Sequence, residues 1–326
     1  MIASFTHTTV AFWCELFGYT RQAYYKSLHR KQYLELREEV ICQMVITKRK
    51  TKGFKRCGTR KLYHVLSADF AAAGFDIGRD QLHSILLRND LTIKVKRRAT
   101  RTTLSHHWYR KWPDLRQDLN VVDAELLWVA DITYIRLLYG FCYLSLITDA
   151  YSRRIMGWCC HESLHTEGCV NALQMALANR IYPERKLIHH SDRGCQYCST
   201  EYTERLLVEF IDISMTQSGS PYDNPLAESV NGQLKVELGM DATFVDFDSA
   251  KVACAEAIQA YNEVRPHGSI DMLTPWQAHQ RGGYIRNRNL ALAEQAVSTQ
   301  ARTAQMAVNL LTVETNNVNY PPAADF

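Results

Sequence analysis

Long apolar runs are missing from this 326-residue chain. The longest, Leu137 to Thr148, spans about 12 residues, whereas a bilayer-spanning helix needs roughly 20. A helical membrane protein is therefore excluded. The N-terminal stretch MIASFTHTTVAFWCELF has neither a basic leading region nor a small-residue cleavage site, which argues against a secretory signal. No internal repeat, strongly biased segment or sustained heptad run occurs, so a repeat array or long coiled coil is not expected. The ten cysteines show no small-scaffold spacing, and the expectation is a reduced thiol set in the cytoplasm. Acidic side chains are scarce in the first 120 residues, which hold 23 Lys+Arg against 10 Asp+Glu. The remaining 206 residues reverse this, with 15 against 24. The front third is thus suited to a polyanion, beyond what solvated helix faces need.

The front third reads as helical. Residues 10–31 suggest helix, turn and helix, with Gly18 in the turn and Thr20 as cap, followed by a further helical segment over about 32–49. Residues 59–90 repeat the theme. Leu62, Val65, Leu66 and Phe70 are spaced as one helix face, Gly74 ends it, and Leu82, Ile85 and Leu86 face inward from the next helix. Such a pair fits a DNA-binding helix-turn-helix or a plain helical hairpin equally well. The following segment, 93–111, favours the first. It carries Lys94, Lys96, Arg97, Arg98, Arg101, Arg110 and Lys111 with Trp108 and Tyr109 among them, a density suited to lying along phosphates.

From about Val121 the composition turns β-rich. Two apolar runs separated by Tyr139-Gly140 read as a hairpin, and the full order of elements is βββαβαβα. Within it three acidic residues stand out. Asp131 lies inside the first strand, Asp192 directly follows the fourth, and Glu228 sits in the first turns of a helix starting at Asn224-Pro225. Each alone has an ordinary reading: a hydrogen-bonded core aspartate, a turn residue, a helix-dipole partner. Together, with the first and fourth strands adjacent, they make an all-oxygen site suited to Mg²⁺ or Mn²⁺. Two such ions about 3.5–4 Å apart can activate an attacking oxygen and stabilise a leaving one in phosphodiester chemistry. Asp149, at the end of the second strand, reads as a turn residue. His161, His165, Cys195 and Cys198 could be taken for a zinc set, but their spacing inside this core disfavours it.

The stretches WVADITYI, GFCYLSLITDAYSRRIMGW, HHSDRGCQY, SPYDNPLAESVNGQLKVEL and YNEVRPHGSIDMLTPWQA resemble the DDE transposases and retroviral-type integrases. Within that superfamily the chain is most similar to OrfB-type transposases of bacterial insertion sequences. Thirty-five residues separate Asp192 from Glu228 and sixty separate Asp131 from Asp192, matching the family's spacing. The resemblance implies an α/β fold with an RNase H-like core, a mixed five-stranded sheet with flanking helices, preceded by an all-α helix-turn-helix region. It assigns Asp131, Asp192 and Glu228 to the catalytic, metal-binding triad and Lys235 to a DNA-phosphate contact on the same helix face as Glu228. Arg193 and Gln196 then lie beside the DNA, and His189 and His190 shape the strand end or touch DNA. The expected divisions are a helical segment 1–50, a second helix-turn-helix-like unit with basic linker 51–120, a catalytic core 121–281 and a tail 282–326. The implied partners are insertion-sequence ends, target DNA, further copies of the chain and an OrfA protein, separate or fused. A cytoplasmic, nucleoid-associated location in a bacterium follows. Departures from the family are Cys195 and Cys198, where Ser or Thr is frequent, and Tyr222, where another aromatic is frequent. An RNase H-like nuclease or resolvase, or an inactive DNA-binding regulator, are the rival readings.

Overall fold

A computed structural model describes residues 9–93, 109–116, 119–217 and 224–281. The basic residues Lys94, Lys96, Arg97, Arg98 and Arg101, as well as Trp108, Tyr222 and the tail from 282, lie outside the described residues. Two compact units emerge. One takes its described residues from 1–102, 135–140 and 229–264, the other from 103–134, 141–228 and 265–326. Among the described residues, no helix is long and apolar enough to cross a membrane.

The first unit begins with helix α1 (Val10–Leu16), a turn at Gly18 with φ +71°, and α2 (Arg21–Lys50). Thr20 caps α2, its hydroxyl accepting from the Ala23 N–H at 3.1 Å. The expected break near residue 32 is absent. No glycine or proline interrupts residues 21–50, so one 30-residue helix forms instead. Helices α3 (Thr59–Ala72) and α4 (Arg79–Arg88) follow, and Leu62, Leu66, Phe70, Leu82, Ile85 and Leu86 are buried with Ile41, Cys42 and Val45 of α2. Gly74 adopts φ +77° just past α3.

The sheet comprises β1 (Leu127–Leu137), β2 (Gly140–Asp149), β3 (Ile155–His161), β4 (Ile188–Ser191) and β5 (Asp212–Met215), in spatial order β3-β2-β1-β4-β5. β2 and β3 pair antiparallel, while β4 pairs parallel with β1 and with β5, so the sheet is mixed. Helices α5 (Thr166–Ala178), α6 (Cys195–Cys198), α7 (Thr200–Val208) and α8 (Pro225–Val236) give the order βββαβααβα, the expected one with the four-residue α6 added. A two-residue strand β6 (Thr243–Phe244), not foreseen, pairs with Arg136 and Leu137 at the end of β1. α9 (Phe247–Gln259) opens with Asp246 accepting from the Ser249 N–H and widens into a π-turn at Ala260–Val264 before Arg265-Pro266. A short α10 (Pro275–Arg281) closes the described chain.

On one face of the sheet Trp128, Ala130, Ile147 and Ile213 join Leu173 of α5 and Tyr202 and Leu206 of α7 in the main core. α5 lies close on β3 because Gly157 has no side chain. A Cβ there would stand 2.0 Å from the Ala172 carbonyl oxygen and 2.5 Å from the Ala176 nitrogen. Both obstacles are backbone and cannot swing aside. Gly157→Ala is expected to cost at least about 3 kcal/mol of stability, measured by urea unfolding; a loss under 1 kcal/mol would contradict this packing.

Candidate active site

The site is set by the parallel ladder between β1 and β4. Its register pairs Leu127 with Ile188, Trp128 with His189 and Val129 with His190. Continuing two residues further, Asp131 comes level with Asp192, just past the end of β4. Alternation along β1 decides the direction of Asp131. Trp128 and Ala130 face the main core, whereas Leu127 and Val129 face the other side, covered by Leu226 and Ala227 of α8. Asp131 shares the parity of Leu127 and Val129 and so lies on the α8 side.

α8 is tied to the same point. The Asn224 side-chain N–H donates to the Ala130 carbonyl at 3.1 Å, one residue before Asp131. Pro225 then starts the helix, where its missing N–H costs nothing, and Glu228 stands in the first turn, exposed. Asp192 is held by its own turn: its Oδ1 accepts from the Gly194 N–H at 2.9 Å. Asp131 and Asp192 are half-buried. Their joint field is felt by one group. The enclosed Tyr197 hydroxyl is raised well above its ordinary range, first by burial, then by Cys169 and Tyr202, and by both Asp131 and Asp192. The structure therefore brings Asp131 and Asp192 together and sets Glu228 on the adjoining helix. Among the described residues no three His, Cys, Asp or Glu side chains are gathered closely enough to hold an ion. The Glu228 carboxyl is thus not closed onto the pair.

The other expected site residues divide. Lys235 lies half-buried in the last turn of α8. Arg193 is half-buried beside Asp192, its guanidinium donating to Gln217 at 3.0 Å. Gln196 is buried and its amide N–H donates to the Leu164 carbonyl at 2.8 Å, so it ties α6 to the loop after β3 and is not carried forward as a DNA contact. His189 and His190 are fully buried, which removes DNA contact from their roles. His189 Nε2 meets the Tyr202 hydroxyl at 2.9 Å, and His190 Nδ1 meets the Ser214 hydroxyl at 2.8 Å. Burial, with His190 adding to it, pushes His189 down to about 3, so it is neutral in the core. Cys198 packs its sulfur on Met215, and His161 is engaged by Ser163 and Glu167.

One cluster escaped the sequence reading. Asp149 is more than a turn residue. It accepts from the Glu125 N–H, the Ser152 N–H and the Ser152 hydroxyl, and all three residues are buried. Because the Ser152 hydroxyl proton goes to Asp149, its oxygen is left to accept from His279 Nδ1 at 2.9 Å. His279 Nε2 faces the Glu125 carboxylate at 3.1 Å. Both ring nitrogens are thus donors and the imidazole is a cation. Burial alone would lower its pKa, but the bonds from Asp149 and Glu125 outweigh it and raise it. Glu125, despite burial, is lowered by His279, the Ile181 and Tyr182 N–H groups and Arg180. The only sequence hint was a buried-looking Ser-Arg turn after β2. Nothing tied it to His279.

Two family profiles, each described as integrase core domain, match residues 123–221 and 209–275. The "Insertion element IS600 uncharacterized 31 kDa protein" of Shigella sonnei is 33% identical over 269 residues, covering 80% of this chain and 95% of that protein. The "Transposase InsF for insertion sequence IS3A" of Escherichia coli is 29% identical over 282 residues, covering 85% and 94%. The "Putative transposase for insertion sequence element IS986/IS6110" of Mycobacterium tuberculosis is 35% identical over 186 residues, 56% of this chain and 66% of that protein, just under two thirds of its length. Among solved structures, the HTLV-2 integrase catalytic core domain in complex with magnesium aligns with 52% of this chain and 99% of its own, at 19% identity and a TM-score of 0.38, too low to add weight. The chain belongs to the DDE transposase and integrase superfamily.

Because the His279 pKa is raised above the ordinary 6.5, its stabilisation is full below pH 6.5 and is lost as pH rises through the folded-state value. The stability margin of the wild type over His279→Gln, about 3 kcal/mol at its largest, is therefore expected to shrink from pH 6 to pH 9 in urea unfolding. A margin that grows over that range would contradict the charged assignment.

Proposed function

We propose that this protein is a transposase, which cleaves the ends of its own insertion sequence and joins the freed 3′-hydroxyl to a second phosphodiester, with Asp131, Asp192 and Glu228 as the carboxylates at the reacting phosphate. The observation that carries the reading is the β1–β4 register, which makes Asp131 and Asp192 neighbours on the side that α8 covers. The donor set is oxygen only and anionic, and it fits hard divalent cations, two Mg²⁺ or Mn²⁺. Once bound, such ions activate the attacking oxygen and stabilise the leaving one.

The remaining work falls to the chain itself. Asp131 and Asp192 gather negative charge at one point and so select a cationic, phosphate-bearing complex. Glu228 swings in from the first turn of α8. The N-terminus of that helix, positive by its dipole, favours the phosphate. Lys235, two turns on, lies on the Glu228 face and grips a flanking phosphate. Arg193 lies at the rim. The basic stretch with Lys94, Lys96, Arg97, Arg98 and Arg101 tracks the DNA backbone, and the helical pair α3–α4 reads the element's ends. Direct attack by water and then by a hydroxyl needs no covalent protein–DNA intermediate. Joining one element end to the other gives a circle that later integrates. Several copies of the chain, with an OrfA partner or fusion, bring the two ends together in the bacterial cytoplasm.

Labelled element-end DNA, incubated with target DNA and Mg²⁺, tests this. Asp192→Asn is expected to reduce joined product at least about 1,000-fold while keeping DNA affinity within about threefold. Lys235→Ala should weaken binding by up to about tenfold and lower the salt slope by about one. Cleavage with no joined product from the wild type would favour a nuclease. Full joining by Asp192→Asn would overturn the site assignment.

A further inference from the structure

α2 has two apolar faces, and among the described residues only one is covered. Of its 30 residues only Ile41, Cys42 and Val45 are buried. At about 100° per residue, Tyr25, Leu28, Tyr33, Leu36 and Val40 fall within an arc of about 140° on the opposite side of the helix. All five are exposed, Tyr33 by 61% and Leu36 by 63%. Just before α2, Leu16, Phe17 and Tyr19 are exposed as well. Over its first twenty residues the helix fully buries no side chain, so it lacks much of the packing from which helices in proteins draw most of their stability. An apolar stripe of this size marks an interaction surface.

The stripe carries information about its partner. Tyr25 with Leu36, and Leu28 with Tyr33, are both symmetric about the point between Arg30 and Lys31. Arg21 and Glu39 are centred on Arg30, and lie eighteen residues, five full turns, apart, so both stand on one edge of the stripe. In an antiparallel pair of identical helices, like edges meet and each residue opposes its mirror position. Arg21 of one copy then faces Glu39 of the other, and Tyr25 packs on Leu36, twice over. Parallel pairing would leave Arg21 and Glu39 of the two copies five turns apart, with no such pair. Up to Lys31 the helix carries Arg21, Lys26, Arg30 and Lys31 with no acidic residue, and Glu35, Glu38 and Glu39 follow with Arg37 among them, before a basic last turn at Lys48–Lys50.

We infer that the exposed face of α2 is a self-complementary interface, on which a second copy of this chain docks antiparallel about a two-fold axis near residue 30. The exposed Phe17 and Tyr19 extend this surface toward Val40 of the second copy. The inference stands apart from the catalytic reading, and its test uses no DNA.

Sedimentation equilibrium of the full chain without DNA measures it. The wild type is expected to be a dimer, and Leu36→Glu, at an exposed position and checked for unchanged circular dichroism, should raise the dissociation constant at least about 100-fold. Arg21→Glu and Glu39→Arg should each weaken the dimer about tenfold, and the double exchange should restore it to within about threefold of wild type. A monomeric wild type, including one that associates only when another polypeptide is added, would overturn the proposal. So would a dimer unmoved by Leu36→Glu, or a double exchange weaker than either single change.

Discussion

Between Leu127–Val129 and Ile188–His190 runs a short parallel ladder, and its register decides where two carboxylates end up. A slip of one residue would turn Asp192 away from Asp131 and reverse which side chains of β4 face the core. The register is held from both faces. Trp128, fully buried, sits on the main core beside His189, which is anchored to the Tyr202 hydroxyl. On the other face Val129 and Ile188 meet α8. The two histidines that look so reactive in the sequence therefore serve the ladder: buried and hydrogen-bonded, they lock the strand that delivers Asp192.

The bond from Asn224 to the Ala130 carbonyl is the second constraint. It fixes where α8 begins, and hence where the first-turn Glu228 sits, relative to the strand that carries Asp131. The acidic pair and the helix are thus joined by backbone and by a neutral amide, not by charge. A site meant to take and release cations and phosphates benefits from a frame that does not depend on them. The Glu125–His279–Ser152–Asp149 cluster does the complementary task at the far end of β2, where buried charge is fully paired and holds α10 to the sheet.

Much of this was legible in the residues. Two apolar runs separated by Tyr139-Gly140 marked the hairpin, and the element order allowed β1 beside β4, as the sheet has it. What stayed hidden was whatever depends on long-range partners. Gln196 looked like a substrate contact because its neighbours are polar, yet its amide is spent on Leu164, 32 residues away. Glu125 and His279 are 154 residues apart, so no local pattern announces them. The uninterrupted α2 was missed because apolar residues on two faces blur the single stripe by which a helix is recognised. β6 is two residues long and has no pattern of its own.

The account stands on Asp131, Asp192 and Glu228 acting as one oxygen-donor set. Mn²⁺ binding followed by electron paramagnetic resonance reads that set directly, without DNA or turnover. The wild type should take up Mn²⁺, and Asp131→Asn, Asp192→Asn and Glu228→Gln should each weaken uptake at least about tenfold, while Glu237→Gln, just past α8 where the carboxylate pairs with Lys61, leaves it unchanged. Mn²⁺ uptake indifferent to all three triad substitutions would contradict the account.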